Sequence, residues 1–186
     1  MRTSHTHPLQ IADVPSPIGG RIGLTFCPGK CDPHAMTGAW DRDLDTDLRA
    51  IVGWGAEALV TLMESHELAA LRVPDLGERV QQHGLLWMHL PIPDVSVPGP
   101  SFESAWVEAG AQLRELLSLG GRFVVHCKGG LGRTGLVAAR LLVELGEDPR
   151  EALRRVRSAR PGAVETCDQE RYVMACVKHE HRLSRG

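Results

Sequence analysis

The segment Phe123-Val124-Val125-His126-Cys127-Lys128-Gly129-Gly130-Leu131-Gly132-Arg133-Thr134-Gly135-Leu136 constrains this chain more than any other. An apolar, β-branched run ends at Cys127, a loop rich in glycine follows, and a helix begins near Arg133. A strand that turns through such a loop into a helix aims successive backbone N–H groups at one point, and the helix N-terminus adds positive potential there. The ligand suited to that geometry is a tetrahedral oxyanion, above all phosphate. The unit also needs a parallel sheet to hold its strand and a helical layer to hold its helix.

The rest of the chain supplies both. Apolar runs at Arg21–Phe26, Ala58–Met63, Leu85–Leu90 and Arg122–His126 read as strands, and a shorter one is expected at Leu9–Val14. Helical spacing appears at Leu44, Leu48, Ile51 and Val52, from Pro74 to His83, after Ser101 as a cap, and through Leu136–Leu145 to the stop at Gly146. Asp148-Pro149-Arg150-Glu151 and Thr166-Cys167-Asp168-Gln169 read as capping boxes that open two further helices. Strands that alternate with helices predict an α/β fold: a central, mostly parallel sheet of four to five strands flanked by helices on both faces. Residues 1–20 are expected as an extended leader, and 21–186 as one domain.

Composition narrows the function class. The chain has 186 residues, enough to bury roughly 70% of its unfolded surface without a disulfide or metal staple. A net charge of -2 argues against a nucleic-acid or anionic-membrane binder. The most apolar stretch, Gly135–Leu145, is broken by Arg140 and Glu144, and no secretory h-region is seen near Met1. Five sparse cysteines read as reduced thiols of a cytoplasmic protein.

Cys127 sits at the mouth of the predicted anion hole. The loop amides and the Arg133 guanidinium are expected to favour its thiolate, which could attack phosphorus in line. Arg133, six residues after Cys127, can fork onto two phosphoryl oxygens. The backbone of Lys128, Gly129, Gly130, Leu131 and Gly132 forms the cradle, and glycine permits close approach and positive φ. Thr134 can donate its hydroxyl to the departing sulfur. Lys30, in Cys27-Pro28-Gly29-Lys30-Cys31, either borders the site and helps hold an anionic substrate or belongs to a surface turn.

His126-Cys127-x5-Arg133-Thr134 resembles the signature of the cysteine-dependent protein tyrosine phosphatase superfamily, and His-Cys-Lys-Gly-Gly-Leu-Gly-Arg-Thr-Gly resembles its dual-specificity branch. Within that branch the chain is similar to the kinase-associated phosphatases and their bacterial relatives. Arg72-Val73-Pro74-Asp75-Leu76 and Pro91-Ile92-Pro93-Asp94 carry the likeness beyond the loop, and it extends over roughly residues 20–182. The resemblance implies the three-layer fold of that superfamily and a phosphomonoester hydrolase with a cysteinyl-phosphate intermediate and no cofactor or metal. Its substrate would be a phosphorylated protein or peptide. It also implies a leaving-group acid upstream; Asp94, 33 residues before Cys127, occupies that place, with Glu103 and Asp75 as alternatives. The Trp-Pro-Asp form of the tyrosine-specific branch is absent, as it is in the dual-specificity branch.

Other readings compete. A rhodanese-type sulfur carrier also places a Cys before a helix, but Arg133-Thr134 favours phosphatase. Lys128 recurs in phosphoinositide phosphatases, where a second Lys stands at the place of Leu131. A phosphoresidue-binding module would lack the nucleophile or the acid, and both are present. His126 is expected to shape the loop, and Gln169 to serve its capping box rather than position water. Cys27 and Cys31 could form half of a metal site or supply a resolving thiol. The arginines at 150, 154, 155, 157 and 160 are expected mainly as a solvated helix face, with Arg160 near the pocket rim. The chain is expected to be a monomer.

Overall fold

The computed structural model describes residues 1–35 and 38–179. The last seven residues of the domain expected over 21–186 lie outside the described residues. In chain order the elements are β1 (Ala12–Pro15), β2 (Arg21–Phe26), β3 (Cys31–Asp32), β4 (Trp40–Asp41), α1 (Leu44–Gly53), β5 (Ala58–Thr61), α2 (Ser65–Ala70) and α3 (Leu76–Gln82). There follow β6 (Leu86–His89), α4 (Pro100–Ser118), β7 (Arg122–Cys127), α5 (Gly132–Glu144), α6 (Pro149–Ala159) and α7 (Cys167–Ala175).

Five strands form one sheet in the order β1-β2-β7-β5-β6, and β3 pairs with β4 apart from it. Only β1 runs antiparallel to its neighbour within the large sheet. β7 lies at the centre, with Phe26 of β2 opposite Cys127 and Thr61 of β5 opposite His126. Successive strand residues face opposite sides of a sheet. Phe123, Val124, Val125 and His126 are all fully buried, so helices cover both faces, as the continuous apolar run predicts. Every residue of α5 except Arg140 is buried as well. Each large apolar side chain so placed stabilises the fold by about 1.5–3 kcal/mol relative to exposure.

The sequence reading and the structure differ at several ends. The short strand expected at Leu9–Val14 forms at Ala12–Pro15; it seats Val14, fully buried, on the edge of the sheet and so ties residues of the expected leader to it. Ser101 does not cap α4: Gly99 is the N-cap and Pro100 the first helical residue, where a missing N–H costs nothing. Asp148 caps α6 through the amides of Arg150 and Glu151, but Glu151 pairs with Arg154 instead of reaching back, so only half of that box forms. Thr166 and Gln169 make the full reciprocal box on α7. Helix α2 has no counterpart in the sequence reading.

Candidate active site

Because β2, β7 and β5 run parallel, their carboxyl ends converge on one edge, and the loop after β7 opens there. Cys127 is the last residue of β7 and is 4% exposed. Its Sγ accepts the Gly130 N–H at 3.3 Å. Gly130 has φ +71°, and a Cβ there would stand 2.4 Å from the carbonyl carbon and oxygen of Thr25, so only glycine lets the loop fold back against β2.

Arg133, on the first turn of α5, is 2% exposed and held from several directions. Glu67 of α2 forks onto it at 2.7 and 2.8 Å, and the Ile92 carbonyl accepts from Nη1 at 3.0 Å. Burial alone would raise the Glu67 carboxyl and weaken the Arg133 charge. The hydrogen bonds and attraction between them win, so the carboxyl is held below its usual range and the guanidinium above. Glu67 also accepts the Glu64 N–H at 2.9 Å, which fixes α2 beneath the guanidinium.

Asp94 comes to the same guanidinium. Its Oδ1 lies 2.9 Å from Arg133 Nη2, while its side chain is 59% exposed. The next residue, Val95, has φ +58°, a left-handed conformation strained for a β-branched side chain. The Val95 N–H donates to Asp94 Oδ1 at 3.1 Å. Gln169 completes the support: its Nε2 donates to the Ser96 carbonyl at 3.2 Å while its Oε1 serves the α7 cap. The alternative acids lie elsewhere. Glu103 bonds Arg140 and Tyr172, and Asp75 stands at the start of α3 beside Arg79.

Arg160, just past α6, donates Nε to the Gly130 carbonyl and Nη2 to that of Gly129, both at 3.2 Å. Burial weakens its charge, and a negative Cys127 sulfur opposes that effect. Part of the basic run is therefore engaged: Arg155 bonds the Pro15 carbonyl and Arg157 bonds the carbonyls of Ala163 and Val164, while Arg150 and Arg154 face solvent as expected.

His126 is fully buried. The Trp87 indole N–H donates to Thr61 Oγ1 at 2.9 Å, and Thr61 Oγ1 lies 2.8 Å from His126 Nε2. After accepting the indole N–H, the Thr61 hydroxyl keeps both a proton and a lone pair, so either tautomer of His126 satisfies this contact, while His126 Nδ1 has no hydrogen-bond partner among the described residues. Burial pushes the pKa of His126 down to about 3, so the ring is neutral. Thr134 is fully buried, and its Oγ1 has no hydrogen-bond partner among the described residues. Lys128 is half exposed, with Nζ 3.9 Å from Asp32. Lys30 is not on the open rim: it is 6% exposed, with Nζ over the rings of Phe26 and Trp40 at 4.8 and 4.6 Å. Cys27 is fully buried and its thiol is pushed far up by burial; Cys31 bonds Asp41.

Sequence reasoning thus brought together Cys127, Arg133, Asp94 and the loop. It missed Glu67, although Glu64-Ser65-His66-Glu67 after a strand carries the spacing of a helix start. It also missed Glu165, which accepts the Gly132 N–H at 2.8 Å.

Residues 36–147 match the family described as "Polymorphic toxin system, DSP-PTPase phosphatase". The chain is 34% identical over 179 residues to cyclin-dependent kinase inhibitor 3 of Rattus norvegicus, a match that spans 94% of this chain and 79% of that one. Among solved structures it is similar to kinase associated phosphatase with its catalytic-site cysteine replaced by serine, at TM-score 0.78 and 28% identity, over 89% of this chain and 92% of that one. Tk-PTP in the active form is similar at TM-score 0.64 and 29% identity, over 87% and 93% of the respective chains. The oxyanion loop expected from the glycine spacing therefore has relatives built on the same sheet, and the chain belongs to the dual-specificity branch of the cysteine-dependent protein tyrosine phosphatases.

Proposed function

We propose that this phosphatase hydrolyses phosphotyrosine and phosphoserine or phosphothreonine on protein chains through a phosphocysteine at Cys127. The observation that carries the reading is the convergence of Gly130 N–H on Cys127 Sγ beside a guanidinium that Glu67 and Ile92 hold at one angle. The sulfur attacks phosphorus and the bond to the leaving oxygen breaks. Asp94 gives that oxygen its proton. Water then attacks the phosphocysteine, Asp94 takes a proton from it, and the S–P bond breaks. Arg133 and the amides of Lys128–Gly132 bind the phosphoryl oxygens as charge shifts onto them. Thr134, whose buried hydroxyl is otherwise unpaired, donates to the departing sulfur. Lys30, buried in the loop between β2 and β3, contributes positive potential.

The scheme draws on no metal or cofactor and takes a phosphorylated protein, not a nucleic acid or membrane, as partner of a cytoplasmic monomer. No helix among the described residues is long and apolar enough to cross a membrane. The likeness to kinase associated phosphatase supports a phosphothreonine on a kinase loop as one substrate. The test is a side-by-side assay of phosphopeptides, phosphoinositides and p-nitrophenyl phosphate, with and without EDTA. The reading expects peptide turnover that EDTA leaves unchanged and Cys127→Ser abolishes. A metal requirement, or turnover confined to phosphoinositides, would contradict it.

A further inference from the structure

The cradle already holds an anion, and it is part of the chain. Glu165 Oε2 accepts the Gly132 N–H at 2.8 Å, and Gly132 is the first residue of α5, inside the loop that a phosphoryl group needs. A Cβ at residue 132 would stand 2.4 Å from that oxygen, so the carboxylate reaches the amide only because residue 132 has no side chain. On the phosphatase reading above, we infer that Glu165 is a built-in competitor for the phosphate cradle, displaced by substrate and returning to the Gly132 amide as product phosphate leaves.

The backbone around Glu165 is set with unusual firmness. Val164 has φ +60°, a left-handed conformation for a β-branched residue, and such conformations persist only where neighbours impose them. Here the neighbours are identifiable. The Val164 N–H reaches the Leu131 carbonyl at 3.4 Å, Arg157 bonds the carbonyls of Ala163 and Val164 at 3.1 Å each, and Gln169 Oε1 accepts the Glu165 N–H at 3.0 Å. The turn is anchored on the loop, on α6 and on α7 at once.

The side chain itself is held lightly. Glu165 is exposed, and among the described residues it forms no ion pair. Glu67, which also reaches this end of α5, instead forks onto a buried guanidinium. A single amide bond from an exposed carboxylate is readily exchanged for water or for a better ligand. A phosphate dianion and this carboxylate cannot share the amide, because two like charges so close repel strongly. A phosphoprotein gains contacts beyond its phosphoryl group that offset the exchange. Displacing Glu165 costs substrate and product the same free energy, so both affinities fall by a common factor, and free phosphate, which has only the cradle, is left the more weakly bound. Its role is to keep product loose enough to leave, not to make or break bonds.

Inorganic phosphate is the probe, titrated by calorimetry into the Cys127→Ser protein and into the same protein carrying Glu165→Gln or Glu165→Ala. Removing the charge is expected to tighten phosphate binding about tenfold, the size of one exposed like-charge interaction near a protein surface. In the otherwise wild-type enzyme, Glu165→Gln lowers the product-inhibition constant of phosphate by a similar factor, with melting temperature unchanged. Equal or weaker phosphate binding in both variants would overturn the inference while leaving the phosphatase site intact. No phosphate binding to any of the three proteins would overturn the site reading itself, and this inference with it.

Discussion

The floor and the rim of the site are built differently. The floor, from Cys127 to Arg133, grows out of the central strand and the most buried helix of the fold: Cys127 is 4% and Arg133 2% exposed. Its charge is locked by a two-pronged carboxylate. The rim consists of two turns, at Asp94–Ser96 and Val164–Glu165, each carrying a valine at positive φ. Asp94 is more than half exposed, and each rim turn sends one carboxylate to the floor. The difference separates two tasks. On the proposed mechanism, the groups that would meet the reacting phosphorus sit on rigid elements, while those that would handle protons and exchange ligands sit on strained turns joined through Gln169.

This contrast can be broken by substitution. On the floor, Arg133→Lys keeps the charge but loses the fork, and kcat/KM should fall about 10³-fold on every substrate. A loss under tenfold in steady-state kinetics would remove Arg133 from the centre of the account. On the rim, Asp94→Ala should depend on the leaving group. The expected loss in kcat is about 10²–10⁴-fold for alkyl phosphates and far smaller for p-nitrophenyl phosphate, whose leaving group needs no proton. Equal losses on both would assign the acid elsewhere.

Glu67→Gln tests the floor without touching substrate. It leaves the buried Arg133 charge half paired, and the protein should lose about 2–3 kcal/mol in urea unfolding. The Glu67 carboxyl is held below its usual range, so its contribution is present above the unfolded carboxyl pKa and is lost as acid titrates the folded group. An unchanged midpoint would mean the fork adds nothing to stability.

The smallest effect is at His126. The folded ring titrates at about 3 and the unfolded ring near the ordinary 6.5, so between those values only the unfolded chain takes up the proton. The stability His126 contributes is whole above pH 6.5 and falls by up to about 1.4 kcal/mol per pH unit below it. His126→Asn should flatten that slope between pH 6.5 and 5. An unaltered slope would mean the ring is not held neutral.

The same contrast explains what could be read from the sequence. The floor was legible because local rules fix it: a β-branched run must be a buried strand, three glycines must be a close loop, and Cys127 and Arg133 stand at a spacing that phosphate chemistry explains. The mostly parallel sheet followed from strands alternating with helices, though its antiparallel edge was not read and ends moved by a few residues, as at Pro100 and Ala12. The supports around that floor and the rim were less legible because long-range contacts create them. Nothing local in Glu67 says that it will meet Arg133, 66 positions away. Gln169 had a complete explanation in its capping box, which hid its second bond to Ser96. Lys30 reads either as a cation bordering the site or as part of a surface turn, yet two aromatic rings from different elements enclose it. Of the arginine run, 155, 157 and 160 look like solvent-facing charge until their carbonyl partners are seen.

The central claim is that phosphorus passes through the Cys127 sulfur. Rapid acid quench of the wild-type enzyme with a ³²P-labelled phosphopeptide, followed by peptide mapping, tests it most directly. The account predicts label on the peptide that contains Cys127 within the first turnover and none in Cys127→Ser. Turnover of the peptide with no trapped label, or label that persists in Cys127→Ser, would contradict it.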